Sequence, residues 1–138
     1  MARRLSGAAI RYLGLFEETT GVEAADCLID DEYERLVFVV PVGDLASAIG
    51  PGGETVKRLE RQVDREVILI EDAVHPDDFV ANALRPAAVY DVTIEDGVAT
   101  VKVAEGDIGT AIGRDGRTIE LARLLAKRHF ELSDIELV

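Results

Sequence analysis

A fourteen-residue phrase occurs twice in this chain. Gly43-Asp44-Leu45-Ala46-Ser47-Ala48-Ile49-Gly50-Pro51-Gly52-Gly53-Glu54-Thr55-Val56 returns 63 positions later as Gly106-Asp107-Ile108-Gly109-Thr110-Ala111-Ile112-Gly113-Arg114-Asp115-Gly116-Arg117-Thr118-Ile119. The Gly-Asp pair, the Ala-Ile-Gly triplet, the second Gly of a G-x-x-G and the Thr are identical. Leu45/Ile108 and Val56/Ile119 are conservative partners. Such a repeat within 138 residues calls for two very small units, each with a Gly-bounded turn between helical stretches. Units of that size are marginal alone, so the sequence predicts that they pack on each other.

The flanking periodicities give each unit the same element order. Leu5, Ala8, Tyr12, Leu15 and Phe16 recur at helical spacing, predicting a helix over about 4–18 with Gly21 as its stop. Cys27-Leu28-Ile29 and Leu36 to Val40 read as strands. Asp44 is the expected N-cap of a short helix ending near Ile49, and Gly50 to Gly53 make the turn. Val56, Leu59 and Val63 mark the buried face of the next helix, followed by a strand over Val67 to Ile70. His75-Pro76 disfavours helix continuation, which predicts a boundary between units 1–75 and 76–138. In the second unit, Asp77 and Asp78 suit a helix N-terminus, with the helix over Phe79 to Leu84 stopped by Pro86. Val89 to Ile94 and Val98 to Val103 flank Asp96-Gly97, a hairpin signal. The repeated helix–turn–helix follows, and Phe130 to Val138 reads as the last strand. The fold class is α+β, with an antiparallel component in each sheet.

Composition bounds the chemistry. No run approaches the ~18 apolar residues of a membrane span and the N-terminus has no signal-peptide core, so a soluble cytoplasmic protein is expected. The single Cys27 reads as a buried, reduced small hydrophobe. The formal net charge is −12, yet segments 44–65 and 107–129 hold nine of the fifteen Lys and Arg and only seven of the twenty-seven acids. Those segments are +2 together, against −14 for the remainder, and only Lys57, Lys102 and Lys127 are lysines. An acid-rich, Lys-poor surface fits life in very high salt, where self-repulsion is screened.

Catalytic and cofactor readings find no support. Cys27, His75 and His129 have no metal-ligand spacing, and His129 beside Phe130 reads as structural. No nucleophile has a base near it. Gly50 to Lys57 lacks the Gly-Lys-Ser/Thr ending of a phosphate loop, and no G-x-G-x-x-G is present. Neither a metal, a cofactor nor a small-molecule substrate is expected.

A turn bounded by glycines lets another backbone approach closely. Where it opens a helix, amide groups and the positive helix end favour phosphate. With the element order above, Ile49-Gly50-Pro51-Gly52-Gly53 and Ile112-Gly113-Arg114-Asp115-Gly116 resemble the loops of tandem KH domains of type II topology (α-β-β-α-α-β). The whole chain is similar to the archaeal NusA-like transcription factors, including the Ile10-Arg11-Tyr12…Leu15-Phe16-Glu17 helix and the Leu124 to Phe130 segment. The resemblance implies a non-enzymatic protein that binds single-stranded RNA in transcription elongation and termination, with RNA polymerase as a further partner. In such domains the G-x-x-G loop clamps the backbone of about four nucleotides while bases lie in an adjacent apolar groove. An alternative reading is an interaction module that docks polymerase or a ribosomal component, its RNA affinity weakened or lost.

Carried onto this sequence, the clamps are Gly50, Pro51, Gly52, Gly53 and Gly113, Arg114, Asp115, Gly116. Lys57, Arg58, Arg61 and Arg117 could reach phosphates. Arg58, Arg61 and Arg65 have the spacing of one helix face, and pairing with Glu54 and Glu60 is their other reading. Ile49 and Ile112 are candidates for base contact, although core packing is the sequence's preferred reading for both. Pro51-Gly52 carries no charge, whereas Arg114-Asp115 keeps one cation beside a carboxylate, so the second loop is expected to hold phosphate more tightly. Salt accounts for such weak loops: at a slope of about −0.7 per phosphate, two or three contacts lose roughly 100- to 1,000-fold between ~0.15 M and ~3 M salt. Backbone N–H contacts and apolar base burial should then carry more of the affinity.

Overall fold

The computed structural model describes residues 5–138. The chain divides into two compact units, Met1–Asp72 and Ala73–Val138. In the first, α1 (Gly7–Thr20) precedes β1 (Asp26–Asp30), β2 (Arg35–Val40), α2 (Leu45–Ile49), α3 (Glu54–Val63) and β3 (Glu66–Glu71). In the second, α4 (Pro76–Ala83) precedes β4 (Val89–Glu95), β5 (Val98–Val103), α5 (Ile108–Ile112), α6 (Arg117–Phe130) and β6 (Asp134–Leu137). Each unit therefore has the expected α-β-β-α-α-β order.

The sheets explain why the repeated phrase is a helix–turn–helix. β1 pairs with β2 antiparallel, in the register Cys27↔Phe38 and Ile29↔Leu36, while β2 pairs with β3 parallel, with Phe38 opposite Leu69. The second sheet repeats this with β4–β5 antiparallel and β5–β6 parallel. Parallel neighbours cannot be joined by a tight hairpin and need a crossover. The pair α2–α3, and α5–α6 after it, is that crossover, with the G-x-x-G turn at its middle.

Packing fixes the crossover against the sheet. Leu36, Phe38 and Val40 alternate along one face of β2 and join Phe16, Ala48 and Leu59 in the core of the first unit. The Phe16 and Phe38 rings stack with centroids 4.4 Å apart. Fully burying side chains of this size contributes about 1.5–3 kcal/mol each, so α1, α2 and α3 are all bound to β2. Cys27 lies in the same core, as its apolar neighbours imply. In the second unit the Phe79 ring stands 5.3 Å from that of His129 and 5.2 Å from that of Phe130, joining α4 to the end of α6.

Several boundaries differ from expectation for local reasons. The predicted start of α1 at position 4 lies outside the described residues. The helix begins at Gly7, where the Ser6 hydroxyl oxygen accepts a bond from the Ala9 amide at 3.1 Å, and it ends at Gly21 as expected. Asp44 and Asp107 occupy the N-cap positions of α2 and α5 without side-chain capping. Asp107 instead accepts from the Ala88 amide at 2.9 Å. α4 starts at Pro76, with Asp77 and Asp78 in its first turn. The last strand is shorter than the predicted Phe130–Val138, because α6 continues through Phe130 and Glu131 takes the left-handed cap. Lys127, Arg128 and His129 in that last turn suit the negative helix end. The Asp96-Gly97 hairpin has positive φ at both residues, as a type I′ turn requires.

Candidate nucleic-acid interface

The two crossovers turn through the same backbone. Gly50 (φ 78°, ψ 168°) and Gly113 (φ 80°, ψ 170°) end α2 and α5 in a region that essentially only glycine occupies. A single 3-10 turn follows, Pro51–Gly53 in one copy and Arg114–Gly116 in the other. Gly53 and Gly116 donate to the carbonyls of Gly50 and Gly113 at 3.1 Å, closing each turn. Gly52 (φ 60°) and Asp115 (φ 54°) share a left-handed conformation, which Asp tolerates better than most side chains do.

The geometry explains why glycine and threonine recur together. A Cβ built on Gly50 would fall against the Thr55 hydroxyl and 2.6 Å from its Cβ. On Gly113 it would fall against the Thr118 hydroxyl and 2.8 Å from Cβ. The first glycine of each loop is thus the floor on which the threonine of the next helix sits. That contact sets the angle at which α3 and α6 leave the turn.

The turn also consumes donors. The amides of Gly53 and Gly116 are spent on turn closure, and those of Glu54 and Arg117 donate to Pro51 and Arg114 carbonyls. Pro51 has no amide proton, so the loop donor left to a ligand in the first copy is the Gly52 amide. Both middle positions are exposed in each loop, Pro51 and Gly52 in one, Arg114 and Asp115 in the other.

The neighbouring apolar side chains are not core residues. Ile49 is 36% and Ile112 39% exposed, and in α2 and α5 only Ala48 and Ala111 are buried. The preferred core reading for these two isoleucines is therefore corrected. Helices of five residues bury one alanine each and leave the next residue, beside the glycine, at the surface.

The basic residues separate into distinct roles. Arg58 donates to the Thr19 carbonyl at 3.0 Å, holding the C-terminal end of α1. Arg65 lies beyond the Asp64 cap of α3, so it does not share the helix face expected from spacing. It pairs instead with Asp31 at 2.9 Å, a bond that raises the guanidinium pKa above its ordinary value. Glu60 does not pair with the arginines along α3 but accepts from the Val67 amide at 2.9 Å, fastening α3 to β3. Lys57 and Arg61 remain exposed along α3, in a shallow groove also lined by Glu60, Asp64, Arg65 and Glu66. In the second loop Arg117 stands 3.7 Å from Asp115, while Arg114 extends into solvent. Among the described residues no group of three or more His, Cys, Asp and Glu could hold a metal ion. No helix there is long and apolar enough to cross a membrane.

Known proteins share this architecture throughout. Residues 10–75 match the KH domain family and residues 76–138 the NusA-like second KH domain. The "Probable transcription termination protein NusA" of Halococcus morrhuae is 51% identical, over 96% of both chains. Its counterpart in Halobacterium salinarum is 49% identical over 99% of both. The crystal structure of APE1850 superposes with a TM-score of 0.84 at 29% identity, covering 97% of this chain and 100% of that one. The relatives thus include proteins of halophilic archaea, and two KH domains in tandem account for both sheets and both turns. The chain belongs to the archaeal NusA family of tandem KH proteins, which is non-enzymatic.

Proposed function

We propose that this protein binds single-stranded RNA through both G-x-x-G turns and acts in transcription elongation or termination, beside RNA polymerase in the cytoplasm. The first KH domain is residues 1–75 and the second 76–138. The observation that supports this most is the duplicated turn, whose exposed middle positions and glycine–threonine contact stand beside a surface isoleucine. The RNA backbone would lie against Gly50 to Gly53 and Gly113 to Gly116, with Lys57, Arg61, Arg114 and Arg117 within reach of phosphates. Ile49 and Ile112 would offer the apolar contact to bases. Arg58, already engaged by α1, belongs at the margin of the site.

The net charge of −12 favours a second reading, a module that docks a protein of the transcription or translation machinery. One experiment separates the two. The full chain is titrated in KCl-rich buffer with a labelled single-stranded RNA, beside variants carrying aspartate at 51 and 52 or at 114 and 115. Loss of binding in these variants, with circular dichroism unchanged, supports the clamp. Equal affinity in all three proteins, or none in the wild type, supports the docking module.

A further inference from the structure

The two loops have the same backbone and opposite charge order in the helix that follows. Glu54 and Lys57 at the start of α3 correspond to Arg117 and Glu120 at the start of α6, 63 positions on. A residue four positions after a helix's cap returns over it, one turn up. The structure shows this in both copies. Lys57 Cε lies 3.7 Å from where a Cβ on Gly53 would stand, and Glu120 Oε1 lies 3.4 Å from the corresponding point on Gly116. Both side chains are exposed. The ground beside the first turn is therefore covered by an ammonium arm, and that beside the second by a carboxylate.

The geometry points to Lys57 and Glu120 as the residues that rank the two clamps, with the first, not the second, holding RNA phosphate more tightly. This deepens the RNA-binding reading and rests on it. Judged by the variable pair alone, the second loop has the advantage of Arg114. In the folded protein Asp115 stands in that loop, Glu120 reaches back beside its last glycine, and Arg117 is drawn to Asp115. The first turn is itself uncharged. Lys57 lies over it, while its acid, Glu54, occupies the first position of α3. A phosphate at the first turn meets the Gly52 amide and the Lys57 ammonium, with Glu54 at the helix start, and at the second it meets Arg114 and Arg117 together with the carboxylates of Asp115 and Glu120.

Binding of a short fluorescein-labelled single-stranded RNA of mixed sequence, followed by anisotropy from ~0.5 M to ~3 M KCl, tests this in the full chain. Lys57→Gln should weaken binding about three- to tenfold at the low-salt end and reduce the salt slope by about 0.7, one phosphate contact. Glu120→Gln should tighten binding about two- to fivefold, as a repelling charge is removed. Exposed helical positions tolerate both changes, and thermal melts verify the fold. A structural role would alter melting without moving the slope. An unchanged slope in Lys57→Gln, or weaker binding in Glu120→Gln, overturns the ranking while leaving RNA binding standing. Absence of binding by the wild type at every salt concentration removes the RNA reading and the ranking together.

Discussion

Substituting alanine at Gly50 and, separately, at Gly52 tests whether the glycine–threonine contact sets the shape of the turn. At Gly50 two costs combine. Its φ of 78° and ψ of 168° lie where a side chain is strained by about 1–3 kcal/mol. The new Cβ would also overlap Thr55, at 2.6 Å from its Cβ and 3.0 Å from its backbone nitrogen. The latter is backbone, so relief requires α3 to shift, an overpacking cost of about 1–3 kcal/mol. The alanine recovers about 0.4–1 kcal/mol by restricting the unfolded chain. The net expectation for Gly50→Ala is a loss of about 2–5 kcal/mol, a large part of the ~5–15 kcal/mol by which domains are held. At Gly52 the left-handed φ of 60° costs about 1–2 kcal/mol, offset by the same entropy gain. No atom lies within 4 Å of its would-be Cβ, so Gly52→Ala should lose about 1 kcal/mol or less. Urea unfolding in concentrated KCl, followed by circular dichroism, reads both against wild type. Coincident midpoints for the two variants would refute the argument that the Thr55 contact, rather than glycine flexibility in general, selects Gly50.

Gly52→Asp copies the backbone and side chain of Asp115 into the first loop, so it should fold normally and weaken RNA binding about threefold or more near ~0.5 M KCl, with a smaller effect in ~3 M where the screening length shrinks to ~2 Å; anisotropy checks it, and equal affinity at both salts would count against phosphate at that turn. Arg58→Ala should lower the melting temperature, by a hydrogen bond's worth of about 0.5–1.5 kcal/mol, and leave the salt slope of RNA binding unchanged, since its guanidinium holds the Thr19 carbonyl. Burial alone would raise the Asp30 carboxyl pKa, but the Arg35 side chain at 2.7 Å and the Tyr33 and Glu32 amides outweigh it and hold the group below its ordinary value. Its contribution to stability is therefore present above the unfolded carboxyl's pKa of about 3.9 and lost as pH falls through the depressed folded value. Melting temperature measured downward from neutral pH should fall less steeply below pH ~4 in Asp30→Asn than in wild type.

What could be read from the sequence was mostly what local pattern determines. The Asp96-Gly97 hairpin, the Gly21 stop and the element order rest on turn chemistry and periodicity that need no partner. The end of α6 is not legible locally, because Phe130 reads equally well as a strand opener. Its helical state is settled by the contact with Phe79, far off in sequence. Ile49 failed in the other direction. Its apolar character suggested burial, but a five-residue helix presents too narrow a face to bury both Ala48 and its neighbour. The arginines were the least legible, since Thr19 and Asp31 lie 39 and 34 residues from Arg58 and Arg65, and no local spacing announces those partners.

Salt decides which of these charges can matter for binding. Near 1 M the screening length is ~3 Å, so the overall −12 contributes little at the loop, and only groups in contact with a phosphate count. Contact in turn is dictated by backbone geometry. The glycine–threonine lock fixes the departure of α3 and α6, and one helical turn later the side chain at position 57 or 120 comes back over the second glycine. The identity of that residue therefore adds an attracting charge beside the first turn and a repelling one beside the second. Two clamps of one shape can differ in phosphate affinity without altering a glycine, and a strongly acidic protein can still hold an RNA backbone at the turn where a lysine has returned.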